Sequence, residues 1–165
     1  MRTIDNINGL NKSEFLSIFG NVFEKTESVA LKVFELKPFK DSDDIVSKML
    51  KIYEEYDRNK ILQILNSHPE LAIEKKLTNE SKLEQTSANL NECSEEEFEE
   101  FKKLNLEYKT KFGFPFIIAV KGKNKNEILV NFRERIQNDL NKEFLEAKNQ
   151  VKKIASFRLK DILSF

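Results

Sequence analysis

The chain is poor in residues that staple, kink or specialise a fold. Its 165 residues include one cysteine, one histidine, no tryptophan, four glycines and three prolines. A single thiol cannot close an internal disulfide, so Cys93 reads as incidental packing or surface. Its neighbours Asn91, Glu92 and Glu95 disfavour a thiolate. One histidine and one cysteine cannot build a His/Cys metal cluster. Glycine-rich phosphate loops and a Ser/His/Asp elbow are also missing. Charge of one sign is lacking too: 28 Lys+Arg balance 28 Asp+Glu. A formal net charge of zero disfavours nucleic acid and anionic membranes as partners. No stretch approaches the ~20 apolar residues of a membrane span, and the N-terminus has no apolar signal core. Leu163, Ser164 and Phe165 form no peroxisomal address. The expected location is the cytoplasm.

What is present points to helices. Charged residues make up 34% of a chain whose length suits one domain, 1–165. A chain of this size can bury roughly 70% of its unfolded surface and needs no staple. Asn11 with Glu14 three positions on has capping-box spacing and opens a helix over 12–23. Further helices are expected over 28–36, 43–56, 57–67 and 78–90. Ser94 with Glu97 starts the clearest helix, which runs to about Lys111, and Glu95, Glu96 and Glu97 favour its dipole. Two more cover about 125–140 and 142–163. Between them Gly113 and Pro115 interrupt an apolar, partly β-branched run, so 113–120 reads as extended, without a sheet partner. The expectation is an all-α, single-domain bundle of about eight helices with one short extended segment.

Several residues could carry chemistry. His68 ends a helix because Pro69 disfavours an α conformation before it, and a helix C-terminus favours the protonated imidazole. By itself, however, it reads as a capping or surface histidine. Ser81, Glu84 and Gln85 stand at i, i+3 and i+4, so a helix places their hydroxyl, carboxylate and amide on one face. The run from Phe114 to Val120 could line a pocket and bond a heterocycle through its main chain; the plain alternative is buried core. Arg133 and Arg135 flank an apolar face on opposite sides, and periodicity does not choose between them. Arg158 falls within an apolar stripe, which calls for an acidic partner in the fold or across a dimer contact.

In order along the chain, these segments resemble one known family. The motifs are Leu10-Asn11, Phe19-Gly20, Phe23-Glu24, Pro38-Phe39, Ser67-His68-Pro69-Glu70-Leu71 and Ser81-Lys82-Leu83-Glu84-Gln85. They continue through Leu104-Asn105-Leu106-Glu107-Tyr108, Lys111-Phe112-Gly113-Phe114-Pro115-Phe116-Ile117, Arg135-Ile136-Gln137-Asn138 and Lys152-Lys153-Ile154. From about Leu10 to Leu163 the chain resembles 2-oxo-4-hydroxy-4-carboxy-5-ureidoimidazoline (OHCU) decarboxylase. It departs from the family's usual Ser-Pro-Trp at Thr26-Glu27-Ser28.

The resemblance implies an all-α, homodimeric carboxy-lyase that converts OHCU to (S)-allantoin, the last step from urate, without a cofactor. It implies His68, Glu84 and Arg135 as catalytic residues, Arg135 being a better match than Arg133. Ligand contacts would fall on Pro69, on Ser81, Lys82, Leu83, Glu84 and Gln85, and on Phe116, Ile117, Ile118, Ala119 and Val120. His68 would act as acid or base, Glu84 would orient it, and Arg135 would hold the anionic substrate. Two rivals remain at this stage: a non-enzymatic helical interaction domain, and a lyase or hydrolase acting on a related ureido compound.

Overall fold

A computed structural model describes residues 3–72 and 78–164. Among them are nine α-helices and no strand. They are α1 (Ile4–Gly9), α2 (Lys12–Phe19), α3 (Ser28–Phe34), α4 (Ser42–Glu54), α5 (Arg58–Ser67), α6 (Asn79–Ser87), α7 (Glu95–Phe112), α8 (Lys125–Arg135) and α9 (Leu140–Leu163). The all-α expectation holds, as does the extended, unpaired run that follows Gly113.

Local chemistry sets the helix ends. The Asn11 side chain accepts from the Glu14 N–H at 3.0 Å, and the Glu14 carboxylate accepts from the Asn11 N–H at 2.8 Å. Ser94 and Glu97 make the same reciprocal pair at α7, each box satisfying two otherwise orphaned donors. Gly113 closes α7 at φ +79°, a left-handed conformation that glycine adopts without penalty. The sequence reading differs in several places: α2 stops at Phe19 rather than at residue 23, and α6 at Ser87 rather than at residue 90. Helix α1 went unread, because its box pairs Thr3 with Asn6 in place of Glu or Gln. Helix α8 stops at Arg135 rather than near Leu140, and Asp139 then caps α9 by accepting from the Lys142 N–H at 2.9 Å.

The chain forms two compact units. One comprises Met1–Ser67 with Lys152–Phe165. Within it α2 packs on α3 and α3 on α4. Phe15 meets the rings of Phe19, Phe34 and Phe39, and Phe23 stacks on Tyr53 at 4.7 Å. Burial of each such ring contributes roughly 1.5–3 kcal/mol. The acidic partner expected for Arg158 is Glu24, at 2.8 Å with both side chains buried, and Arg158 Nη1 also donates to the Asn21 carbonyl.

The second unit comprises His68–Val151, and α7 packs there on α8. Tyr108, with no exposed surface, is ringed by Phe112, Phe114, Phe116 and Phe132 at 4.5–5.9 Å. Phe116 and Phe132 stack in parallel at 3.8 Å. No helix among the described residues is long and apolar enough to cross a membrane.

Candidate functional site

His68 follows the last turn of α5 and is buried, not the surface cap that its position alone suggested. The segment leaving it is held from two sides. From α6, Gln85 accepts the Ala72 N–H at 3.1 Å and donates to the Glu70 carbonyl at 3.3 Å. From α7, the Asn105 amide donates to the Leu71 carbonyl at 3.0 Å. Three successive residues after Pro69 thus have a main-chain group satisfied by a buried side-chain amide. Without sheet or helix partners these groups would be costly to bury.

Thr78 caps α6, and the helix presents its i, i+3, i+4 face as the spacing required. Ser81 and Gln85 are buried and Glu84 is half-buried, whereas Lys82 and Leu83 are exposed, Leu83 at 71%. The helix therefore turns Ser81, Glu84 and Gln85 inward, and Lys82 and Leu83 outward.

The extended wall is buried from Phe114 to Val120. Side chains replace the missing sheet neighbour. Arg135 Nη1 donates to the Ile117 carbonyl at 2.7 Å, and Gln150 Oε1 accepts the Ala119 N–H at 2.9 Å. Ile118 between them makes no main-chain hydrogen bond to any described residue.

The two arginines separate cleanly. Arg133 is exposed and pairs with Glu100. Arg135 is buried, stacks on the Phe116 ring at 4.4 Å from its centroid, and meets the fully buried Glu143 at 3.0 Å. The Glu143 carboxylate also accepts from Asn138 at 2.9 Å and from the Tyr108 hydroxyl. Burial, and then the bond to Glu143, push the Tyr108 hydroxyl far above the ordinary tyrosine range, so it remains a donor.

Helix α7 joins these two arrangements. Asn105 and Tyr108 are three residues apart on one face, a rise of about 4.5 Å. Asn105 holds the segment after His68; Tyr108 holds the acid that holds Arg135. The His68 segment and the arginine wall are thereby both anchored on neighbouring turns of one rod.

Sequence reasoning assigned no role to Glu143 or Gln150, and quoted Asn105, Tyr108 and Asn138 only as parts of motifs. An acid in the first turn of a helix normally reads as a dipole partner in solvent. The one available signal was Arg135 itself, because a buried guanidinium requires an acid nearby.

The OHCU decarboxylase family model matches residues 8–160. The uric acid degradation bifunctional protein of Bacillus sp. (strain TB-90) is 39% identical over 98% of this chain and 32% of its own length. The 2-oxo-4-hydroxy-4-carboxy-5-ureidoimidazoline decarboxylase of Haloferax volcanii is 35% identical over 98% of this chain and 96% of its own. The crystal structure of an (S)-allantoin synthase superposes with a TM-score of 0.78 at 25% identity, covering 98% of this chain and 54% of that one. The chain spans about a third of the length of the two bifunctional relatives it matches. With a family model over nearly the whole chain and a relative matched end to end, this chain belongs to the OHCU decarboxylase family.

Proposed function

We propose that this chain decarboxylates OHCU to (S)-allantoin in urate degradation, without a cofactor, as a cytoplasmic homodimer. The observation that carries the reading is where the buried polar groups sit. Ten polar or charged side chains are buried among the described residues, and seven of them fall within His68–Val151: His68, Ser81, Gln85, Asn105, Arg135, Glu143 and Gln150. Burying such groups costs free energy, and their concentration in one unit supports a site built for a polar ligand there. The Haloferax volcanii relative, matched over 96% of its length, carries the name of this activity.

The chemistry needs an electron sink and a proton. Breaking the bond to CO₂ leaves an electron pair on the ring carbon, and the adjacent C=N of the substrate accepts it. The 4-hydroxyl on the carbon that lost CO₂ then gives up its proton and becomes a carbonyl, while a proton is delivered from one face to the neighbouring ureido-bearing carbon, which gives a single enantiomer. His68 exchanges the proton with the 4-hydroxyl or the reacting carbon, a contribution of about 10²–10⁴-fold. Glu84 orients His68. Arg135 holds the anionic substrate by charge-assisted hydrogen bonds. Pro69, the inward face of Ser81–Gln85 and the main chain of Phe116–Val120 complete the pocket.

The test supplies freshly generated OHCU and follows optical activity. Rapid formation of (S)-allantoin is expected, together with loss of turnover in a folded His68→Asn variant. Racemic allantoin appearing at the spontaneous rate would refute the activity. Normal turnover by His68→Asn would refute the residue's role.

A further inference from the structure

We propose that Glu143 is a positioning residue, which sets the orientation and local charge of the Arg135 guanidinium and so selects the N–H groups offered to substrate. This rests on the reading of Arg135 as the substrate-binding arginine.

The geometry leaves Arg135 little freedom. The guanidinium plane lies over the Phe116 ring, with Cζ 4.4 Å from the ring centroid. Within that plane, Nε lies 3.2 Å from both Glu143 oxygens, and Nη2 lies 3.0 Å from Oε2. Nη1 donates to Ile117. A guanidinium carries five N–H donors. Nε and Nη2 donate to Glu143 and Nη1 to Ile117, and the Tyr108 hydroxyl is a further side-chain partner of the guanidinium. The donors not held by these groups are the ones available to an anionic ligand.

Glu143 can impose this choice because it is itself immobilised. Its carboxylate has no exposed surface and is tied to Asn138 and Tyr108 from other directions. If Arg135 rotated in its plane, it would lose the carboxylate. Glu143 also cancels the arginine's charge locally. Attraction for substrate then comes from directed hydrogen bonds rather than from an unpaired buried cation. Removing the carboxylate charge should therefore reduce turnover without weakening capture of the anion.

The experiment measures kcat and KM for OHCU in the wild type, Glu143→Gln, Arg135→Lys and the double variant. Arginine Nε–H resonances are recorded on the same samples. The wild type should show a slowly exchanging Arg135 Nε–H signal, assigned by its loss in Arg135→Lys and lost or moved in Glu143→Gln. Glu143→Gln should lower kcat at least about tenfold without raising KM. In the Arg135→Lys background the same change should cost less than about threefold, because residues acting as one unit are not additive. Multiplying losses in the double variant would overturn the proposal, as would an unchanged signal or unchanged kcat in Glu143→Gln. If Glu143→Gln does not fold, Glu143→Asp replaces it, keeping the charge but withdrawing the carboxylate by one methylene, and is judged by the same kcat, resonance and double-variant criteria. A wild type with no decarboxylase activity would refute the function, while the resonances would still decide whether Glu143 holds Arg135.

Discussion

The Asn105 side-chain amide donates to the Leu71 carbonyl at 3.0 Å, a contact between residues 34 positions apart in sequence. It fixes the exit from His68 to the middle of α7. Replacing Asn105 with Leu keeps the branched outline in a larger side chain and leaves that carbonyl without its donor. An unsatisfied buried group costs about 1–3 kcal/mol. The urea midpoint should fall accordingly, and kcat/KM should fall with it. An unmoved midpoint would show that the contact contributes nothing.

Gln150 serves the opposite wall. Its Oε1 accepts the Ala119 N–H at 2.9 Å while its Nε2 donates to Glu146 at 2.7 Å. Gln150→Leu strands the Ala119 N–H, again at about 1–3 kcal/mol. Because the wall itself moves, KM for OHCU should rise more than kcat falls, and steady-state kinetics separates the two.

The arginine pair gives a matched comparison two residues apart. Arg133 and Glu100 are solvent-exposed partners, so Arg133→Ala should cost no more than about 1 kcal/mol. Arg135→Ala would leave the Glu143 carboxylate buried without its cation, at about 3–5 kcal/mol. Equal denaturation midpoints for the two variants would contradict the assigned burial.

Burial, and then the Glu97 carboxylate, push the Cys93 thiol above its ordinary value, with Lys125 opposing. The folded state therefore keeps this proton longer than the unfolded chain. Stability linked to it is intact at neutral pH and declines as the solution becomes alkaline. Alkylation of Cys93 at neutral pH should be slower than that of a free cysteine and should reach the free rate in denaturant. A native rate at or above the free rate would contradict this.

The Glu97 carboxylate is held below its ordinary 4.5, first by the Ser94 backbone N–H, then by Lys125 and the Ser94 hydroxyl. A depressed carboxylate stabilises the fold above its unfolded value, and the effect disappears as pH falls through the lower folded value. Below about pH 4.5 the wild type should therefore lose stability more steeply than Glu97→Gln, as followed by circular dichroism through an acid titration.

How much of this was legible depended on whether a residue's environment is local. Asn11 with Glu14, and Ser94 with Glu97, are three positions apart, so their boxes could be read directly and hold in the structure. The inward face of Ser81, Glu84 and Gln85 follows from helical geometry for the same reason. The end of α8 was misread because Ile136 and Leu140 continue its apolar period, while the Asp139 cap that begins α9 competes with it. Thr3 and Asn6 escaped because an asparagine box lacks the usual glutamate.

Residues whose partners are distant in sequence were not legible in this way. Glu143 reads locally as an acid early in a helix, and only the packing of Tyr108 and Arg135 around it makes it a hub. Gln150 similarly looks like a polar residue on a long helix until Ala119 is placed against it. Arg135 occupies the middle ground. Periodicity left it level with Arg133, family motifs favoured it, and the structure buries it.

The extended run after Gly113 has one more consequence. Its main-chain groups at Ile117 and Ala119 are bonded by Arg135 and Gln150. Main-chain positions are indifferent to which side chain they carry, so Ile117, Ile118 and Val120 can drift among residues of similar bulk while the ledge they form keeps its shape. Inheritance of that ledge is delegated to two side chains elsewhere in the sequence, on α8 and α9.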